Sequence, residues 1–227
     1  MRIECLPCGE CALTVQLGHA IEETVADDVR AFAAGLETAA LPGIRELVPT
    51  YCTVMVHYDP AVWGFEELSA KLTELAGILE AAAGGDSLLV EIPVLYGGEA
   101  GPDLEFVASH NGLTPEEVIR RHAEPASLVY MLGFTPGFPY LGGMDESIAA
   151  PRLKTPRVRI PAGSVGIAGS QTGVYPIDSP GGWQLIGRTP LRLFDMEGEN
   201  KFLLKAGQRV RFVPIDEAEF RRLGGVL

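Results

Sequence analysis

Residues 133–194 read GFTPGFPYLGGMDESIAAPRLKTPRVRIPAGSVGIAGSQTGVYPIDSPGGWQLIGRTPLRLF, and they limit the fold more than any other part of the chain. Gly and Pro at this density suit a flexible linker and rule out long helices. The same stretch carries Phe134, Phe138, Tyr140, Tyr175, Trp183 and Phe194, large rings that a solvated linker has no use for. An ordered surface of tight turns and short strands is therefore expected here.

On the N-terminal side the periodicity changes. Short strands are expected near 2–6, 11–17, 44–48 and 51–58, alternating with helices near 21–37 and 64–82, and a strand near 88–95 follows. Ile21, Val25, Val29, Phe32 and Leu36 recur at helical spacing in the first helix, as do Phe65, Leu68, Leu72, Leu75 and Leu79 in the second. Each helix thus has one apolar stripe to lay on a small antiparallel sheet. Asp59-Pro60 suits the N-cap and first turn of the second helix, and Gly84-Gly85-Asp86 suits its end. That break divides an N-terminal domain at 1–87 from a second domain at 88–227.

Two helices open the second domain. Thr114-Pro115-Glu116-Glu117 marks the start of the latter: Thr114 and Glu117 form a capping box and Pro115 occupies the first turn. Short β-rich runs follow at 126–132, 158–160, 163–168, 174–177, 182–187, 191–194 and 209–214, with a closing helix at 216–223. The fold class is α+β: a small N-terminal antiparallel sheet with two helices, followed by a compact β-barrel.

With 227 residues, 47% hydrophobic and 21% charged, there is chain enough for a buried core in each domain. No apolar run approaches the roughly 18 residues of a membrane span, and Glu4, Pro7 and Glu10 interrupt the N-terminus where a signal peptide is apolar. A cytoplasmic protein is expected. The net charge of −12 is uneven: residues 1–87 hold 4 basic and 14 acidic side chains, 88–150 hold 2 and 9, and 151–227 hold 12 and 7. The acidic front repels nucleic acid and anionic membrane, so neither is expected as a partner. Arg152, Lys154, Arg157 and Arg159 in the basic rear could receive a carboxylate, a phosphate or an acidic partner, although an ordinary solvated surface has the same composition.

Familiar chemical signatures are mostly missing. There is no G-x-x-x-x-G-K-[ST], no H-E-x-x-H and no G-x-S-x-G, and His19, His57, His110 and His122 lie apart without ligand spacing. Cys5-x-x-Cys8-x-x-Cys11 resembles part of an iron–sulfur run that Cys52 would complete. A strand–turn–strand reading of this segment points the thiols in different directions, so reduced structural cysteines and no metal are expected. Ser164, Ser170 and Ser179 are conceivable nucleophiles, but no base can be assigned to them, and the catalytic residues stay unassigned.

Gly133-Phe-Thr-Pro-Gly-Phe-Pro-Tyr-Leu-Gly-Gly143, Pro161-Ala-Gly-Ser-Val165, Gln171-Thr-Gly-Val-Tyr-Pro176 and Ser179-Pro-Gly-Gly-Trp183 through Gly187-Arg-Thr-Pro190 together resemble the signature of the KipI family. The family is also called allophanate hydrolase subunit 1 and, more recently, the B component of 5-oxoprolinase. The similarity extends over essentially the whole chain, including Tyr96-Gly97-Gly98 and Gly101-Pro102-Asp103-Leu104. It implies a cyclophilin-like β-barrel for the second domain, of the carboxyltransferase subdomain C and D type. It also implies two partners, the C component (KipA-like) and the A component of 5-oxoprolinase, with which the chain would open 5-oxo-L-proline to L-glutamate at the expense of ATP. Phosphorylation of the lactam oxygen followed by attack of water is the implied chemistry. Without a Walker motif, an ATP site is shared, built differently or on a partner; whether the chain acts alone stays open. Two departures matter: Gly9-Glu10 stands where the family tends to have Gly-Asp, and the Ser-Ser-Lys system of true allophanate-hydrolysing amidases is not found. The founding member implies an alternative, a regulatory protein that inhibits a sporulation-type sensor histidine kinase.

Within these motifs the candidate substrate-binding residues are Thr135, Phe138, Tyr140, Arg159, Gln171, Tyr175, Trp183, Gln184 and Arg188. The arginines are suited to a carboxylate or phosphate, Gln171 and Gln184 to amide donors and acceptors, and the aromatics to groove walls, with Thr135 and Gly137 presenting backbone donors. Barrel packing for the rings and a structural ion pair for each arginine are the competing readings.

Overall fold

The period of two along Ala12–Gln16 and Thr53–Tyr58 turns Leu13, Val15, Val54, Val56 and Tyr58 inward, and this pattern organises the N-terminal part of the computed structural model. The structure describes residues 1–79 and 88–227, which fall into two compact units, Met1–Ser87 and Leu88–Leu227. The Gly84-Gly85-Asp86 break lies outside the described residues, as does the end of the second expected helix beyond residue 79.

In the first unit, β1 (Glu4–Pro7), β2 (Ala12–Gln16), β3 (Ile44–Pro49) and β4 (Thr53–Tyr58) pair antiparallel in the order β1-β2-β4-β3. Helices α1 (Glu23–Ala39) and α2 (Phe65–Ile78) cover the sheet, burying Val29, Phe32, Leu36, Leu68 and Leu72 as the helical spacing requires. Two expectations are corrected. Ile21 precedes α1 and is 57% exposed. Asp59-Pro60 does not cap α2, which starts after Gly64; instead the Asp59 carboxylate accepts from the Ala61 N–H at 3.0 Å and its carbonyl from Val62 and Trp63. An Asx turn satisfies these donors locally, so the aspartate closes its own turn well before the helix.

The four cysteines do not converge. Cys8 and Cys11 are exposed, Cys5 is half-buried with its thiol pushed up by burial, and the Cys52 thiol donates to the Ala20 carbonyl at 3.0 Å. Among the described residues no three His, Cys, Asp or Glu side chains group as a metal site, and no helix is long and apolar enough to cross a membrane.

The second unit runs β5 (Leu89–Tyr96), α3 (Leu104–Asn111), α4 (Pro115–Ala123), β6 (Ser127–Leu132), β7 (Pro139–Gly142), β8 (Arg157–Ile160), β9 (Ser164–Ala168), β10 (Gln171–Val174), β11 (Ser179–Gly181), β12 (Gln184–Arg188), β13 (Arg209–Pro214) and α5 (Glu217–Arg222). Seven strands form one sheet in the order β10-β9-β12-β5-β13-β6-β7, with β5 and β13 parallel and the other neighbours antiparallel. Edge strands β10 and β7 lie against each other, so the sheet is a nearly closed barrel around Ile92, Val94, Val129, Ile167, Ile186 and Val210. Strands β8 and β11 form a separate two-stranded ribbon.

Turn chemistry explains where the strands depart from expectation. Strand β10 starts at Gln171, not at 174, because Gly169 takes a left-handed φ of 58° and folds the chain straight back onto Ala168. Residues 191–194 form no strand, only a bridge between Phe194 and Phe202. Thr114 caps α4 by accepting from the Glu117 N–H at 3.2 Å, but the Glu117 carboxylate turns to Arg120 and Arg121 rather than back to the cap. Gly101 permits the closest approach in the barrel: a Cβ there would stand 2.0 Å from the Ile186 carbonyl oxygen, so only glycine lets this turn lie on β12.

Candidate functional site

The β6–β7 hairpin supplies the first wall of a cavity. Its loop is pinned by Gly133 N–H to the Phe138 carbonyl at 3.1 Å and by Phe138 N–H to the Thr135 carbonyl at 3.1 Å, leaving Phe134 on the rim and Phe138 inside. Phe138 is the hub of an aromatic cluster, edge-on to Tyr140 at 5.3 Å, Tyr175 at 5.8 Å and Trp183 at 5.6 Å between centroids. Strand β10 accepts these rings because residue 173 is glycine: a Cβ there would lie 3.0 Å from Phe138 and 3.2 Å from Trp183.

The opposite wall is Gly181-Gly182-Trp183, held by a web of long-range polar contacts. Leu153 N–H donates to the Gly182 carbonyl at 2.7 Å, and the Gln184 amide donates to the Pro151 carbonyl at 2.8 Å. Arg157 reaches the Trp183 carbonyl at 3.2 Å and the Asp103 carboxylate at 2.7 Å. The other Asp103 oxygen accepts from Leu185 N–H at 2.6 Å, so this aspartate, at the N-terminus of α3, makes no side-chain cap and clasps β12 instead. Segment 151–157 is thereby laced to 182–185, which brings Arg152 to the cavity.

The cavity is open at one side and about 200 Å³ in volume, lined by Phe138, Tyr140, Gln171, Tyr175 and Trp183 together with Phe134, Arg152 and residues 180–182. Arg152 forms no ion pair among the described residues, and its charge is the one cation on the described lining. Burial pushes the Tyr175 phenol up and keeps it neutral, while a hydrogen bond to the Trp183 backbone and the positive Arg152 and Arg157 pull the other way. None of the described lining residues is His, Cys, Asp or Glu. The arrangement can hold and orient a small flat anion by ring contact, an amide and one guanidinium; it presents no general base of its own.

Five of the nine residues expected from the sequence meet here. The other four lie elsewhere: Thr135 is behind the rim with its hydroxyl buried and unpartnered, and the Gln184 amide is engaged by Pro151. Arg159 grips Asp178 through two hydrogen bonds of 2.8 and 2.6 Å with its side chain 76% exposed, and Arg188 donates to the Ala162 carbonyl at 3.2 Å. Arg152 and Phe134 are not among those nine, although Arg152 belongs to the basic group expected to be able to receive a carboxylate or phosphate. Arg152 shares a basic run with Arg157 and Arg159, and nothing local distinguishes the three; Phe134 lies in the same loop motif as Thr135. A larger groove of about 680 Å³ runs between α4 and β13, but its cations are already paired, Arg120 with Glu117 and Glu124 and Arg211 with Glu91. It lacks the convergent polar groups of a small-molecule site.

Residues 3–204 match the family described as carboxyltransferase domain, subdomain C and D. The chain is 47% identical to the 5-oxoprolinase B component of Bacillus subtilis (strain 168), over 93% of its own length and 92% of the relative's. It is 41% identical to the 5-oxoprolinase B component of Escherichia coli O157:H7, over 95% and 98% of the two chains. The crystal structure of TTHA0988 superposes with a TM-score of 0.80 at 38% identity, covering 90% of this chain; this chain spans 40% of that longer one.

Proposed function

The chain belongs to the KipI-type family of carboxyltransferase subdomains C and D, and from that membership we propose that it serves as the B component of a 5-oxoprolinase. The observation that carries this reading is the 47% and 41% identity, nearly end to end, to two proteins named as that component. A protein named as one subunit of an enzyme acts with others; the A and C components are the partners, in a cytoplasmic complex that converts 5-oxo-L-proline to L-glutamate with ATP.

In this reading the aromatic cavity takes 5-oxo-L-proline. The Arg152 guanidinium faces the substrate carboxylate, Gln171 the lactam amide, and the Phe138–Tyr175–Trp183 cluster the ring. At about 200 Å³ the space lies below the roughly 300–1,000 Å³ of drug-sized sites, which suits a small ring acid. It does not fit ATP: drug-sized ligands occupy sites of about 300–1,000 Å³, and a triphosphate calls for more than one cation. ATP is therefore not placed in this cavity, and the role of the cavity is to bind and orient the lactam while excluding water from its flat faces.

Co-expression with the A and C components tests the proposal. The complete set is expected to show 5-oxo-L-proline-dependent ATP hydrolysis and glutamate formation, both lost when this chain is omitted. Unchanged turnover without it would refute the assignment.

A further inference from the structure

Phe134 is at φ 63°, one of two non-glycine residues with positive φ among the described residues; the other, Ala40, is the left-handed residue that ends α1. Glycine adopts this conformation freely and a residue with a Cβ does so rarely, so phenylalanine is an unfavourable choice for the backbone. No core burial offsets the strain, because Phe134 is 70% exposed. The next residue adds a second unfavourable feature, the Thr135 hydroxyl buried without a partner. Such features persist where the surroundings or a function require them. The Phe134 ring stands at the mouth of the cavity, edge-on to Phe138 at 5.8 Å.

We propose that Phe134 is a ligand-contacting wall, kept at the expense of backbone strain, that selects the flat cyclic lactam over the open-chain amino acid formed from it. The inference rests on the reading of this cavity as the 5-oxo-L-proline site. Both molecules carry a carboxylate for Arg152, so the guanidinium does not tell them apart. A planar ring entering the mouth can lie against the exposed face of Phe134 and bury it; a flexible chain cannot cover that face with the same contact. Phe134 therefore favours substrate entry and product release at the same place.

The test uses the complex reconstituted with the A and C components, measuring KM for 5-oxo-L-proline, the inhibition constant of L-glutamate and the melting temperature of the chain. Phe134→Gly relieves the strain and removes the ring. It is expected to leave the melting temperature unchanged or higher, raise KM about tenfold, the equivalent of about 1.4 kcal/mol of lost ring contact, and leave glutamate inhibition within about twofold. Phe134→Tyr should restore KM. Arg152→Gln should weaken both ligands together. If Arg152→Gln changes neither constant, the cavity is not the substrate site and the inference falls with that reading. If Arg152→Gln weakens both but Phe134→Gly leaves their ratio unaltered, the selectivity of Phe134 alone is refuted. A fall of several degrees in the Phe134→Gly melting temperature, with turnover reduced in proportion, would make the ring structural and also overturn it.

Discussion

Acidification from pH 7 to pH 5 should destabilise the barrel through a single side chain. His122, 2% exposed, is stacked on Phe212 at 4.4 Å between ring centroids, with Nδ1 2.7 Å from the Tyr96 hydroxyl and Nε2 2.7 Å from the Thr172 hydroxyl. Thr172 donates to the Gly166 carbonyl at 3.1 Å, so it accepts from Nε2–H, and Nδ1 accepts from Tyr96. The neutral imidazole is fully satisfied, whereas a proton on Nδ1 would confront a buried hydroxyl in a medium that does not solvate charge. Burial accordingly lowers the imidazole from its ordinary 6.5 to about 3. The unfolded chain takes up a proton near pH 6.5 and the folded chain not until about pH 3, so the stability due to neutral His122 is present above 6.5 and is lost as pH falls between those values. At pH 5, 1.5 units below the unfolded value, the loss is about 2 kcal/mol at ~1.36 kcal/mol per unit. That corresponds to roughly 4–8 °C in melting temperature for a domain of this size class. The assay is thermal unfolding of the full chain at pH 7 and pH 5, beside His122→Gln, in which this contribution is missing while the other titrating groups remain. Imidazole chemical shifts on the wild-type chain provide a check that does not depend on the variant folding. A folded-state midpoint near 6.5, or equal pH dependence in the two proteins, would refute the reasoning.

Asp103→Ala removes the carboxylate that holds both Arg157 and the Leu185 N–H, leaving a partly buried guanidinium and a backbone donor unmatched; a loss of about 2–4 kcal/mol in chemical denaturation is expected, and less for Asp103→Asn, which keeps an acceptor. A loss below about 0.5 kcal/mol for Asp103→Ala would show that the clasp is not a stabilising element. Arg159→Ala breaks an ion pair that stands in solvent, so stability should change by no more than about 1 kcal/mol and KM for 5-oxo-L-proline should not move. A KM increase would place Arg159 at the substrate after all.

What could be read along the chain is what depends on near neighbours. The stripes Val29–Phe32–Leu36 and Leu68–Leu72 follow from a repeat of 3.6, the Thr114 cap from the residues beside it, and the β-rich character of 126–214 from its turns. The family resemblance belongs here too, because Gly101 and Gly173, both within its motifs, sit where close approach tolerates little else. The choice among Arg152, Arg157, Arg159 and Arg188 was not open to that kind of reading. Four guanidinium groups with similar surroundings in sequence become a cavity cation, a clasp on Asp103, a solvent-exposed partner of Asp178 and a donor to Ala162. Their fates are set by partners 54, 19 and 26 residues away in three of the four cases, and by the way 151–157 is laced to 182–185 in the other. Local sequence determined which segments become strands, helices and turns because those preferences act over a few residues; which side chain faces the cavity was decided only when barrel closure brought distant segments together, because a charge takes its role from whatever packing places beside it.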